Sequence, residues 1–141
     1  MVFEPLQKGG KAMCLVNADT RHAYTYTPDA AKALFALSKA DDTWGQVWHL
    51  PTDPNALTGR QFIEESAKAL GVDPKFTVLK KWMCQIAGVF NPIVREVNEM
   101  IYQNESDYLF SSAKFEKRFR WKPTPYHAGI KETARMAKTR S

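Results

Sequence analysis

Along this chain apolar residues recur at three- and four-residue steps in several stretches and at two-residue steps in others. The first pattern buries one stripe of a helix, the second one face of a strand. Between His22 and Thr27 the run His-Ala-Tyr-Thr-Tyr-Thr alternates, with Tyr24 and Tyr26 on one side, and predicts a short strand. Pro28 then suits a helix's first turn, and Ala30, Leu34 and Leu37 carry that helix to about Lys39. Gln46 to Leu50 reads as a second short strand, closed by Pro51. Thr58-Gly59-Arg60-Gln61 is a capping box, in which the Thr58 hydroxyl accepts from the Gln61 N–H while the Gln61 side chain reaches back. The helix behind it presents Phe62, Ile63, Ala67 and Leu70, and Gly71 suits its cap.

Phe76 to Leu79 is a third strand, followed by a helix over Lys80 to Phe90 with Trp82, Ile86, Val89 and Phe90 turned inward. Asn91-Pro92 breaks it and opens another to about Gln103, burying Ile93, Val97, Met100 and Ile101. Asp107 to Phe110 is the fourth strand, and Ser112 caps a helical turn through Phe119. Thr124-Pro125 opens the last helix, striped by Tyr126, Ile130, Ala134 and Ala137. Residues 1–21, punctuated by Gly9-Gly10 and Asn17-Ala18-Asp19, read as an irregular lead-in. The sum is a mixed, helix-rich α/β chain of about five helices and four short strands. It lacks the regular alternation of a complete doubly wound sheet.

Composition narrows the class. The 141 residues fit a single domain spanning 1–141, and 44% hydrophobic content is enough to bury a core. No apolar run is long enough for a membrane span, and Met1-Val2-Phe3-Glu4-Pro5 has no signal-peptide pattern. Cys14 and Cys84 form neither a disulfide framework nor a metal motif, so a cytoplasmic location is expected. His22, His49 and His127 sit on separate elements without ligand spacing, and no metal site is expected. The net charge of +5 concentrates between Lys114 and Arg140, where the basic residues alternate with apolar ones as on a solvated helix face. Neither a nucleic-acid nor a membrane partner is expected.

Three segments in order carry a family resemblance. They are His22-Ala-Tyr-Thr-Tyr-Thr-Pro-Asp-Ala-Ala-Lys-Ala-Leu34; Gly45-Gln-Val-Trp-His-Leu-Pro51 with Leu57-Thr-Gly-Arg-Gln61; and Ser112-Ala-Lys-Phe115 through Phe119-Arg-Trp-Lys-Pro-Thr-Pro125 to Gly129-Ile-Lys-Glu-Thr133. Together they resemble the carboxy-terminal, substrate-binding portion of the extended short-chain dehydrogenase/reductase family, the NAD-dependent epimerase/dehydratase type. The resemblance implies the carboxy-terminal part of a Rossmann-type epimerase, with NAD or NADP and a small-molecule substrate belonging to a full-length parent oxidoreductase or isomerase.

The residues that would do that family's chemistry are absent. None of the seven glycines forms the dinucleotide fingerprint, and none of the five tyrosines has a lysine four residues on. No catalytic or cofactor-binding residue is assigned, and the chain alone is expected to be an inactive, truncated portion. The resemblance implies His22, Tyr24, Tyr26, Arg95 and Tyr102 as substrate-binding candidates. Seven residues before Asp29, where the nucleotide-sugar branch carries a diphosphate-binding arginine, stands His22 with Arg21 beside it. Histidine offers no bidentate fork, which favours a smaller or less charged substrate, although Arg21 could take the arginine's place. Without its cofactor half such a chain would expose apolar surface, so a homo-oligomer is expected; the alternative function is a non-catalytic, self-associating interaction module.

Overall fold

The computed structural model describes residues 2–90, 95–96 and 99–139. Among these, six helices and four short strands run in the order α1 (Phe3–Gln7), β1 (Ala12–Leu15), β2 (Arg21–His22), α2 (Thr27–Ser38), β3 (Leu57–Thr58), α3 (Gly59–Leu70), β4 (Phe76–Leu79), α4 (Lys81–Phe90), α5 (Ala113–Phe119) and α6 (Tyr126–Thr139). Single 3-10 turns lie at Asp41–Thr43 and Ile101–Asn104.

The capping box at the start of α3 forms as its sequence dictates. The Thr58 Oγ1 accepts the Gln61 N–H at 3.1 Å and the Gln61 Oε1 accepts the Thr58 N–H at 3.0 Å. Gly71 closes the helix at φ 76°, a left-handed position where a side chain would be strained. The buried face of α3 (Ile63, Ala67 and Leu70) packs with Leu6 of α1, Ala12 of β1 and Ala134 of α6. Packing of α3 on α6 and on α1 is therefore the centre of the molecule.

Two small sheets flank that core. β1 pairs in parallel with β4, Ala12 opposite Phe76 through Leu15 opposite Leu79. β2 pairs antiparallel with β3, and His22 makes a parallel bridge with Tyr108. A second apolar centre gathers Trp48, Phe115, Phe119 and Trp121, with the Phe115 and Phe119 rings 4.6 Å apart and Trp121 edge-on to Phe115 at 5.7 Å.

Several sequence expectations are corrected. Residues 1–21 are not irregular, since they hold α1 and β1. The strand expected over His22 to Thr27 stops at His22, because the Tyr24 N–H is taken by the Tyr126 hydroxyl at 2.9 Å and helix begins at Thr27. Gln46 to Leu50 forms no strand: Trp48 turns into the aromatic centre and its indole N–H bonds the Thr43 carbonyl at 3.0 Å. The strand expected at Asp107 to Phe110 reduces to the single bridge at Tyr108. Trp82, Ile86 and Met100, expected inside, are exposed; Trp82 is 60% so. Ile101 is buried as expected. The Val89, Phe90, Ile93 and Val97 side chains lie outside the described residues.

Candidate functional site

A cleft of about 250 Å³ opens between the segment before α2 and the faces of α3 and α6. Tyr24 and Tyr26 line one wall, keeping the two-residue alternation of their sequence although the ladder has ended. Phe3 of α1 and Phe62 of α3 also line the cleft, with the Phe62 ring 4.9 Å from that of Tyr24 and tilted 43° to it, and edge-on to Phe3 at 6.2 Å. Tyr126, Ile130 and Thr133 of α6 make the opposite wall.

Three backbone arrangements hold these walls. The buried Asp29 carboxylate, in the first turn of α2, accepts the Thr124 N–H at 2.7 Å and so ties the turn that leads into α6 to the start of α2. Asp53 accepts the Tyr126 N–H at 3.2 Å, serving an otherwise orphaned donor at the α6 amino terminus. Gly129 lets the Tyr26 ring lie against the backbone of α6: a Cβ there would meet the ring at 3.1 Å.

None of the twelve residues lining the cleft carries a charged side chain. Burial pushes the Tyr24 and Tyr126 phenols upward from their ordinary value, so both are neutral donors and acceptors at neutral pH. His22, half-buried beside the cleft, has its Nε2 3.2 Å from the Thr20 hydroxyl, and desolvation lowers its pKa. Three arginines on the surrounding elements are engaged elsewhere. Arg21 bonds Asp107 at 2.7 Å, Arg60 bonds Asp19 at 2.8 Å, and Arg135 bonds Glu132 at 2.6 Å. What this arrangement can do is bind a neutral molecule and orient it through hydroxyl groups.

Of the five candidates read from the sequence, His22, Tyr24 and Tyr26 lie together, with the His22 and Tyr24 rings 6.0 Å apart. Arg95 and Tyr102 are exposed and do not line the cleft; Arg95 is 3.9 Å from Glu96. Sequence reasoning placed Phe62 and Tyr126 in the core and gave Gly129 no role. The usable signal was Gly129 itself, a glycine inside an apolar helical stripe, which marks a close approach. The tie from Asp29 to Thr124 spans 95 residues and leaves no local trace.

A second feature is a set of exposed apolar side chains outside the cleft. Phe35 of α2 is 66% exposed, Trp44 72% and Val47 80%, with Leu34 also exposed. The extended segment 46–50, which carries Val47, has no strand partner among the described residues.

Compared with known proteins, the sequence matches no family model and no curated protein. Among solved structures it is similar to a nucleoside-diphosphate-sugar epimerase from Staphylococcus aureus, with a TM-score of 0.66 at 16% identity. The fold is epimerase-like. The similarity covers 93% of this chain and 49% of that protein, so the chain spans about half the epimerase's length.

The residues present do not fit a dinucleotide. A pyrophosphate needs a glycine turn at the carboxyl end of a parallel strand, so that backbone N–H groups can approach it. β1 runs instead into Val16-Asn17 and β4 into Lys80-Lys81. Among the described residues no helix is long and apolar enough to cross a membrane.

Proposed function

We propose that this chain is the carboxy-terminal, substrate-binding portion of an NAD(P)-dependent epimerase, dehydratase or reductase, and that its cleft receives part of the substrate. The observation that carries the reading is a match spanning nearly all of this chain but only half of an epimerase. The parallel strands β1 and β4, neither of which ends in a glycine turn, support the further statement that cofactor binding belongs to another half. The exposed side chains of Leu34, Phe35, Trp44 and Val47 are apolar surface such a half would cover.

The reading is tested by titrating the chain with NAD+ and NADPH in a calorimeter. No saturable heat is expected with either. Micromolar binding of either dinucleotide overturns the reading, because the chain would then carry its own cofactor site.

The same apolar side chains favour a second reading, a non-catalytic module that associates with its own copies. Leu34, Phe35, Trp44 and Val47 are each more than half exposed, and contact between copies would cover them. Sedimentation at increasing concentration separates the two: a constant monomer mass is incompatible with the self-associating module.

A further inference from the structure

The cleft's lining also limits what it can hold. We propose that it takes an uncharged, single-ring molecule bearing a hydroxyl or carbonyl group, and not a nucleoside diphosphate sugar; this rests on the reading of the cleft as a substrate site. Size is the first reason. A cavity of roughly 150 Å³ accommodates a benzene ring, so about 250 Å³ holds one ring with substituents, and any further group of a larger molecule would lie outside the cleft.

Charge is the second reason. A diphosphate brought against this lining would lose its hydration without gaining a cation, because Phe3, Tyr24, Tyr26, Phe62, Tyr126 and Ile130 offer only rings, methyl groups and neutral hydroxyls. Three guanidinium groups on the elements around it, β2, α3 and α6, are already engaged. Arg21 is fixed twice on Asp107, through its Nε at 2.8 Å and its backbone N–H at 2.7 Å. Arg60 grips Asp19 with two nitrogens, and Arg135 grips Glu132 the same way.

Hydrogen bonding defines the remaining selectivity. The Tyr126 oxygen accepts the Tyr24 N–H at 2.9 Å, which leaves its own proton to donate to a ligand oxygen. The Thr133 hydroxyl donates to the Gly129 carbonyl at 2.8 Å, which leaves its lone pairs to accept from a ligand hydroxyl. The Tyr24 and Phe62 faces supply an apolar surface for the ring. One donor, one acceptor and two tilted aromatic rings describe a site for a neutral ring alcohol or ring ketone.

The test uses amide chemical shifts of the whole chain, with 4-methoxybenzyl alcohol and UDP-glucose as probes. The alcohol is expected to give saturable shifts at Tyr24, Gly129 and Thr133 that do not change with salt, and UDP-glucose none at the same concentration. Thr133→Phe and Thr27→Trp, which put bulk into the cleft from different elements, should each weaken the alcohol at least tenfold. Thermal unfolding monitors the fold of both variants. Shifts at these amides with UDP-glucose, alone or alongside the alcohol, overturn the assigned ligand class while leaving the cleft a binding site. No shift with either probe overturns both the class and the cleft as a site.

Discussion

Replacing Asp29 should damage the molecule at two places 95 residues apart. In Asp29→Ala the Thr124 N–H loses a carboxylate acceptor that now sits 2.7 Å away. A hydrogen bond to a charged group contributes about 1.5–3 kcal/mol. The carboxylate also lies in the first turn of α2, where a negative charge against the helix dipole adds about 0.3–1 kcal/mol. The expected loss is therefore about 2–4 kcal/mol. Asp29→Asn keeps an oxygen that can accept from Thr124 and should lose about half as much. Urea unfolding followed by far-ultraviolet circular dichroism measures both; with a slope of about 2 kcal/mol per molar, the Asp29→Ala midpoint should fall by about 1–2 M. Amide exchange at Thr124 should quicken in step, since that donor becomes free. Two variants within about 0.5 kcal/mol of wild type, the range of an unremarkable surface substitution, would refute the idea that this bond ties the α6 turn to α2.

Three further outcomes follow from other parts of the structure. Gly129→Val places branched carbons where a Cβ alone already meets the Tyr26 ring at 3.1 Å, and should destabilise by about 1–3 kcal/mol while shifting the Tyr26 ring resonances; a neutral substitution contradicts the close approach. His22 should titrate below 6.5, because burial favours its neutral form; the unfolded chain then takes up the proton first, so this group's contribution is present above about pH 6.5 and is lost as pH falls through the lower folded value. A His22 proton resonance with a midpoint above 6.5 reverses that sign. If the α2 face drives association, Phe35→Glu and Val47→Glu should each shift a concentration-dependent sedimentation profile toward monomer at unchanged melting temperature, and an unaltered profile places the contact elsewhere.

What the sequence disclosed depended on how local the cause was. The start and end of α3 were legible to the residue, because Thr58, Gln61 and Gly71 act within one turn. The α6 stripe was legible for Tyr126, Ile130 and Ala134, which are all buried. β1 was missed because Ala12 to Leu15 is a short apolar run without alternation, and its partner β4 begins at Phe76. Gln46 to Leu50 carries a strand's pattern but finds no ladder among the described residues, so pattern alone could not tell an extended segment from a paired one. Trp82 and Ile86 illustrate the same limit on α4, where helical spacing defined an apolar face but nothing local determined whether another element covers it. At the site, the alternation of Tyr24 and Tyr26 pointed to one wall of the cleft. The opposite wall came from α6 and required the tertiary fold.

The make-up of the main core has a consequence for synthesis. Of the residues in this core, Leu6 and Ala12 emerge first from the ribosome, then Ile63, Ala67 and Leu70, and Ala134 follows last. The buried face of α3 must therefore wait for roughly sixty further residues, several seconds at about 5–20 residues per second, before α6 arrives to cover it. During that interval the nascent chain presents an amphipathic helix with an uncovered apolar side, a substrate for chaperones. Release of a chain stopped short of α6 would leave that face permanently open and prone to aggregate.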